Sequence, residues 1–115
     1  MIEFIDGPAV GQSLALHRAP KLLRVVRSRQ GEWDALDQLN DEPKLSEQIF
    51  VYRRRDDLPI SKYHLLCSGR AKRATGWYWR ASYSAIEPQP GEHDIRDTAA
   101  WRAWATQQTG EVAGV

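Results

Sequence analysis

Residues 76–86 read Gly-Trp-Tyr-Trp-Arg-Ala-Ser-Tyr-Ser-Ala-Ile, and this stretch decides the fold class of the chain. Its odd positions hold Trp, Trp, Ala, Tyr and Ala, whereas its even positions from 78 to 84 hold Tyr, Arg, Ser and Ser. Because successive side chains of a strand point to opposite faces, this alternation is typical of a β-strand with one buried side. The stretch therefore predicts a core strand, and its solvent-facing side is a candidate binding surface.

A basic loop leads directly into this strand. It contains Arg70, Lys72 and Arg73, and the solvent-facing side of the strand adds Tyr78 and Arg80. Arginine and tyrosine are enriched in the hot spots of protein interfaces, and cations with aromatic rings also bind single-stranded nucleic acids. The loop and the strand together form the first candidate binding region.

The composition of the chain bounds its class. Its 115 residues fit a single domain, 1–115, and its 16 basic and 15 acidic residues give a net charge of +1, so no global field attracts polyanions. The single cysteine, Cys67, excludes an intramolecular disulfide and fits a reducing compartment. No secretory leader or membrane-spanning run is recognisable, so we expect a soluble, cytoplasmic protein.

The remaining strands are predicted from short apolar runs that turn residues separate. Ile2–Ile5 and Ser13–Leu16 flank a loop with Asp-Gly-Pro and a second glycine, which favours a hairpin with a longer loop. Residues 33–39 fit either a strand or one face of a short helix, on which Trp33, Leu36 and Leu39 would lie, and residues 40–48 predict an acidic surface loop. Three further strands are predicted at 22–27, 49–53 and 63–67.

One helix is predicted, at the end of the chain. Asp97 is a favourable N-cap, residues 98–108 contain strong helix formers, and Gly110 follows them. Trp101 and Trp104 fall on one stripe of this helix, so both should be largely buried against the sheet, near Trp77 or Trp79. The whole pattern predicts an α+β fold that is mainly β. Six or seven short antiparallel strands form a bent sheet or partly open barrel, with the C-terminal helix packed on it.

The sequence carries no assembled catalytic or metal-binding signature. His64 and Cys67 have a spacing that suggests zinc, but residues three apart on a strand point to opposite faces, so Cys67 is better explained as a small buried apolar residue. A triad of Cys67, His93 and Asp94 lacks any local motif. The acidic side chains favour a solvated face over paired catalytic carboxylates; they are Asp34, Asp37, Asp41 and Glu42. We expect no catalytic residue, no metal and no cofactor.

A second basic run gives the other candidate region. Tyr52 and the three arginines 53–55 combine an aromatic ring with cations, although the aspartates at 56–57 would partly neutralise them. A solvated or protein-binding face is the favoured interpretation, and contact with nucleic acid is the alternative. The candidate residues of both regions are Tyr52, Arg53, Arg54, Arg55, Arg70, Lys72, Arg73, Tyr78 and Arg80.

Three motifs resemble those of small accessory proteins of tailed phages and prophages. They are Phe-Ile-Asp-Gly-Pro-x-x-Gly-Gln at 4–12, Val-Val followed by Gly-x-Trp-Asp-Ala-Leu-Asp within 25–37, and Arg-Asp-Thr-Ala-Ala-Trp-x-Ala-Trp at 96–104. The resemblance spans most of the chain but carries over no catalytic or ligand-binding residue. It implies a short accessory protein of an infected bacterium that binds a host or virion protein.

These observations lead to two functional hypotheses. The first is a non-enzymatic phage or prophage accessory protein that binds another protein stoichiometrically, in the host cytoplasm or in the virion. Its partner would be a host factor, including a defence system, or a virion component. The alternative is a small nucleic-acid-binding β-domain that uses the basic and aromatic face. No membrane partner is expected.

Overall fold

A computed structural model describes residues 1–36, 43–44, 48–71, 77–79 and 97–110, and it describes 67–71 and 77–79 by their backbone alone. Within these residues the fold is mainly β, with one C-terminal helix. The elements are β1 Ile2–Phe4, β2 Ser13–Leu14, β3 Leu22–Arg27, β4 Trp33–Leu36, β5 Gln48–Arg54, β6 Lys62–Ala71, β7 Trp77–Trp79 and α1 Thr98–Thr109. The predicted fold class is confirmed. Of the segment 33–39, residues 33–36 form a strand and 37–39 lie outside the described residues.

The described strands form a mixed, nearly closed, barrel-like sheet. Six strands follow the order β2-β1-β6-β5-β3-β4, and β7 pairs with the far end of β6. The prediction of antiparallel strands throughout is wrong at one place, because β1 runs parallel to β6, with Glu3 opposite Lys62 and Phe4 opposite Tyr63. A parallel neighbour must come from a distant part of the chain, which local sequence patterns do not reveal.

Strand β3, which lies between β5 and β4, is buried on both sides. Leu22 and Val26 belong to the cluster that contains the helix residues Trp101 and Ala105, whereas Leu23 and Val25 belong to a second cluster on the opposite face. This alternation follows from the two-residue period of a strand. The sheet therefore separates two cores, which we call the helix face and the inner face.

The inner face contains several aromatic rings, and the hydroxyl groups of its two tyrosines bind the backbone of the N-terminal segment. The rings of Phe4 and Tyr52 meet edge to face with centroids 4.6 Å apart. The Tyr52 hydroxyl accepts a hydrogen bond from the Ala9 amide and donates one to the Asp6 carbonyl, both at 3.0 Å. The Tyr63 hydroxyl donates to the Pro20 carbonyl at 2.5 Å. Buried hydroxyl groups are thus paired, as low-dielectric interiors require.

The predicted N-terminal hairpin is confirmed, and its loop is fastened to the sheet at Asp6 and Gly7. Asp6 accepts a hydrogen bond from the Leu65 amide at 2.6 Å. Gly7 has φ +72°, and a Cβ atom there would lie 2.8 Å from both the Leu65 Cβ and the Tyr52 hydroxyl oxygen. Only glycine fits, because the position requires both a left-handed backbone and close approach.

The helix begins and ends where the sequence predicts, within one residue. Asp97 caps it by accepting hydrogen bonds from the amides of Ala99 and Ala100 at 2.9 and 3.1 Å. Gly110 ends it with φ +74°, and its amide donates to the Thr106 carbonyl at 2.8 Å. Both ends therefore satisfy backbone groups that a helix alone leaves unpaired.

Trp101 is buried in the helix face, as predicted, with 2% of its surface exposed. Trp104 is only half-buried at the margin of the same cluster, with its ring centroid 5.9 Å from that of Trp101. The prediction that both are largely buried is therefore only half right, because Trp104 lies towards the edge of the helix stripe. Their expected proximity to Trp77 or Trp79 concerns side chains outside the described ones.

A buried arginine joins β3 to the helix. Arg24 is 1% exposed, its Nη2 donates to the Thr98 hydroxyl at 2.9 Å, and its guanidinium carbon lies 5.6 Å from the Trp101 ring centroid. A guanidinium over an indole ring is a favourable cation–π arrangement. The contact fixes the first turn of α1 against the sheet.

Several predicted segments fall outside the described residues. Of the strand predicted at 77–86, β7 covers its first three residues, and 80–86 lie outside. The acidic loop predicted at 40–48 is described only at 43–44 and at Gln48, which begins β5. Across the described part of the chain, no helix combines the length and apolarity needed to traverse a bilayer.

Candidate functional site

The second basic run does not form the predicted surface. Tyr52, expected as an exposed aromatic residue, is completely buried at 0% exposure and is correctly regarded as a core residue of the inner face. The reason is that β5 is covered on both sides, so its inner-face residues are buried whatever their polarity. Arg53 is half-buried on the same strand, opposite His64 of β6. The aromatic member of this candidate site is therefore absent from the surface.

The next two arginines bind carboxylates of the same turn. Arg55 donates from Nε and Nη2 to the two carboxylate oxygens of Asp57, at 2.7 and 2.5 Å. This hydrogen-bonded pair raises the pKa of Arg55 and lowers the pKa of Asp57. Arg54 donates from Nε to Asp56 at 3.3 Å and from Nη1 to the Ala19 carbonyl at 2.7 Å. The predicted neutralisation by the two aspartates is confirmed.

The first basic region begins at the C-terminal end of β6, where Arg70 lies. The register places Arg70 directly opposite Tyr78 of β7, as expected for neighbours on one surface. The pairing partner of Arg54 is Tyr63, so the two basic regions are separated by about 20 Å along β6. The structure therefore does not join them into one continuous surface. The candidates Lys72, Arg73 and Arg80 lie outside the described residues.

The structure contains an apolar surface cleft that the sequence did not predict. Ile60 and Met1 lie on it with 68% and 76% of their surface exposed. We call it the apolar cleft, and its volume is about 200 Å³. The described residues that line it are Met1, Ile2, Leu16, His17, Arg18, Ala19, Ile60 and Ser61.

The walls of the apolar cleft are held by specific contacts. Parallel pairing of β1 with β6 begins where the Glu3 amide donates to the Ser61 carbonyl at 2.8 Å, and the Lys62 ammonium group pairs with the Glu3 carboxylate beside it. On the other wall, the hydrogen bonds of Tyr63 to Pro20 and of Arg54 to Ala19 fix the backbone that follows Leu16. The cleft is thus preformed by backbone and buried side-chain bonds.

A signal for the apolar cleft is present in the sequence. The turn between β5 and β6 reads Asp-Asp-Leu-Pro-Ile at 56–60, so two apolar side chains flank a proline in an otherwise polar turn. Turns usually carry polar residues, and an apolar one on the surface is notable only when others lie beside it. The neighbours of Ile60 come from the far N-terminal segment, which the sequence alone does not place there.

The described residues hold no cluster of metal ligands. No three of their His, Cys, Asp and Glu side chains lie close enough to share a metal ion. His64 is 2% exposed within β6. The side chain of Cys67 and the residues His93 and Asp94, which would complete a triad, lie outside the described part. The described residues therefore do not test the triad hypothesis.

Comparisons with known proteins give no independent guide to function. No family model, no curated protein and no solved structure matches the chain.

Proposed function

We propose that the chain is a non-enzymatic binding protein that acts stoichiometrically, and that it docks on its protein partner through the apolar cleft. The observation that carries this proposal is the exposure of Ile60 and Met1 over a preformed cleft of about 200 Å³. Single exposed apolar residues are normal on protein surfaces, but a group of them around one cleft is typical of an interaction site.

The chemistry around the cleft fits a protein interface. Interfaces have an apolar centre and a polar rim that remains partly solvated. Here Ile60, Met1 and Leu16 supply the apolar centre, and His17 with the Lys62–Glu3 pair supplies a polar margin. Burying apolar area contributes about 25 cal/mol per Å², so covering two large exposed side chains favours association.

The rigidity of the cleft supports the same proposal. A binding surface that is already ordered loses little conformational entropy when a partner docks. The hydrogen bonds of Arg54 to Ala19 and of Tyr63 to Pro20 hold one wall, and the paired strands β1 and β6 hold the other. The resemblance to phage accessory proteins would make the partner a host factor, a defence protein or a virion component.

Two substitutions in one turn test the proposal. Ile60→Asp places a charge in the apolar cleft, whereas Leu58→Asp makes the same chemical change two residues away, at a side chain that is 40% exposed and does not line the cleft. Tagged variants are captured from lysate of the infected or lysogenic host, and co-purified proteins are quantified by mass spectrometry.

We expect one protein to co-purify in stoichiometric amounts with the wild type and with Leu58→Asp, and to fall at least tenfold with Ile60→Asp, in line with a lost interface hot spot of about 2 kcal/mol. Equal capture by both variants, equal loss from both, or no stoichiometric protein with the wild type would each contradict the proposal. Circular dichroism confirms that both variants are folded.

The nucleic-acid alternative retains one supporting observation, the register that sets Arg70 opposite Tyr78. A base could stack on the aromatic ring while the cation contacts a phosphate. Fluorescence anisotropy with a single-stranded oligonucleotide at two salt concentrations tests it. This alternative requires affinity that falls steeply with salt and falls again with Tyr78→Ala; binding weaker than about 100 μM at low salt would exclude it.

A further inference from the structure

A second surface cleft lies at the end of the hairpin formed by β3 and β4, and we call it the hairpin cleft. Its volume is about 440 Å³, within the range of small-ligand sites. The described residues that line it are Arg27, Ser28, Arg29, Gly31 and Gln48. None of these residues lines the apolar cleft or belongs to the two predicted basic regions.

Arg27 is held in a fixed orientation within this cleft. In the paired strands it lies directly between Trp33 of β4 and Gln48 of β5. Its guanidinium carbon is 5.2 Å from the Trp33 ring centroid and 5.6 Å from that of Phe50. Its Nε and Nη2 atoms both donate to the Gln48 side-chain oxygen, with an Nε distance of 2.8 Å. The rings and the Gln48 amide therefore hold the guanidinium in place, and among the described residues none accepts a hydrogen bond from its Nη1.

The neighbouring residues add donors of the same kind. Arg29 is exposed on the turn and lines the cleft. The Ser28 hydroxyl accepts a hydrogen bond from the Glu32 amide at 3.1 Å, which leaves its own proton to donate. Gly31, with φ +85°, closes the turn, and its amide donates to the Ser28 carbonyl at 3.0 Å. Two guanidinium groups and one hydroxyl thus lie around a single small space.

The two arginines of this cleft form no ion pair with another described residue. Arg54, Arg55 and Lys62 each pair with a carboxylate. Arg27 bonds instead to the neutral amide of Gln48, and no carboxylate among the described residues lies within ion-pair distance of Arg27 or Arg29. A positive cleft with an oriented guanidinium fits one oxyanion, because arginine donors match carboxylate and phosphate oxygens in pairs.

We propose that the hairpin cleft binds a single oxyanion group, a phosphate or a carboxylate, through the Nη1 end of Arg27, with Arg29 and the Ser28 hydroxyl as further donors. The group would belong to a small ligand or to an acidic side chain of a partner. Two cations in one compact cleft suit one acidic group rather than a continuous polyanion, which needs a row of phosphate contacts. This inference is independent of the apolar cleft and of its partner.

Nuclear magnetic resonance of the isotopically labelled protein tests the site directly. The probes are inorganic phosphate and acetate, each titrated at constant ionic strength against chloride. The signals followed are the Arg27 Nε–H group, which the Gln48 bond protects, and the backbone amides of 28–31. We expect a saturable shift of these signals within about 20 mM of one anion, as weak single-group binding implies. A stronger response to phosphate shows that the cleft prefers a phosphate group, and a stronger response to acetate shows that it prefers a carboxylate.

Three variants decide whether the binding is specific. Arg27→Gln removes the oriented donor and should abolish the shift of the turn amides. Arg29→Gln, at an exposed position, should weaken binding at least about fivefold, in line with one lost charge-assisted bond. Arg55→Gln makes the same change of charge at the distant pair with Asp57 and should leave binding unchanged.

Several results would overturn the proposal. They are a linear, non-saturating response equal to that of chloride, a saturable shift that survives both Arg27→Gln and Arg29→Gln, and an equal loss in Arg55→Gln. Arg27→Gln also removes the contacts of Arg27 with the Trp33 and Phe50 rings. If that variant does not fold, Arg29→Gln still tests the proposal.

Discussion

The two faces of the sheet are closed in different ways. On the helix face, α1 covers aliphatic side chains of β3, β5 and β6 with Trp101 and Ala105. On the inner face, Tyr52 and Tyr63 bind the backbone of the N-terminal segment through their hydroxyl groups. The helix face is therefore a core and contributes stability. The inner face also orders the segment that becomes a wall of the apolar cleft, so a change at Tyr63, which binds that segment, should affect stability and binding together.

The largest expected effect is on the helix face. Trp101→Ala should lower the free energy of unfolding by about 3–5 kcal/mol, because it removes a large ring that is 2% exposed and leaves a cavity under the helix. Urea denaturation followed by circular dichroism measures this. The folded fraction should still capture the partner, because none of the residues that line the apolar cleft belongs to the hydrophobic cluster around Trp101.

Trp104→Ala provides the matched comparison on the same helix. Because Trp104 is only half-buried, its loss should cost about 1–2 kcal/mol. If both substitutions lower the free energy of unfolding by the same amount, the two rings are buried to the same extent, which would contradict this structure.

The next effect concerns the junction between the inner face and the N-terminal loop. Gly7→Ala should cost about 2–4 kcal/mol, because the added Cβ would meet Leu65 and Tyr52 at 2.8 Å in a left-handed backbone. Gly11→Ala is the control: Gly11 has φ +86° but no atom within 4 Å of the added Cβ, so only the backbone strain of about 1 kcal/mol remains. Similar unfolding midpoints for the two variants would contradict the close packing at Gly7.

The smallest effects separate stability from binding. Tyr52→Phe and Tyr63→Phe each remove a buried hydroxyl and should each cost about 1–3 kcal/mol, because backbone groups lose their hydrogen-bond partners. Only Tyr63→Phe releases Pro20, which follows the cleft residue Ala19. It should therefore reduce partner capture by folded protein, whereas Tyr52→Phe should not. Capture that is unaffected by Tyr63→Phe would mean that the wall of the cleft does not depend on this bond.

The helix and most strands were predictable because local chemistry determines them. Asp97 and Gly110 are residues that cap helices, and the β-branched run at 22–27 is a strand in the structure as well. The burial of Tyr52 also had a local signal, since it ends the continuous apolar run at 49–52, which is typical of a strand covered on both faces.

Other features depend on contacts between distant parts of the chain. The parallel pairing of β1 with β6 joins residues 59 positions apart, such as Glu3 and Lys62. Arg24 is buried because Thr98, 74 positions away, accepts its hydrogen bond. The apolar cleft combines Ile60 with residues near the start of the chain. No local pattern specifies such neighbours, so the fold class was predictable from the sequence and the candidate site was not.

The central claim is that the apolar cleft is the contact surface for a partner protein, and site-specific photo-crosslinking tests it most directly. A photoreactive phenylalanine analogue is placed at Ile60 in one sample and at Leu58 in another, and both are irradiated in the infected or lysogenic host. We expect one discrete crosslinked protein from position 60 and little or none of it from position 58. The same crosslinked products from both positions, or none from position 60, would contradict the account.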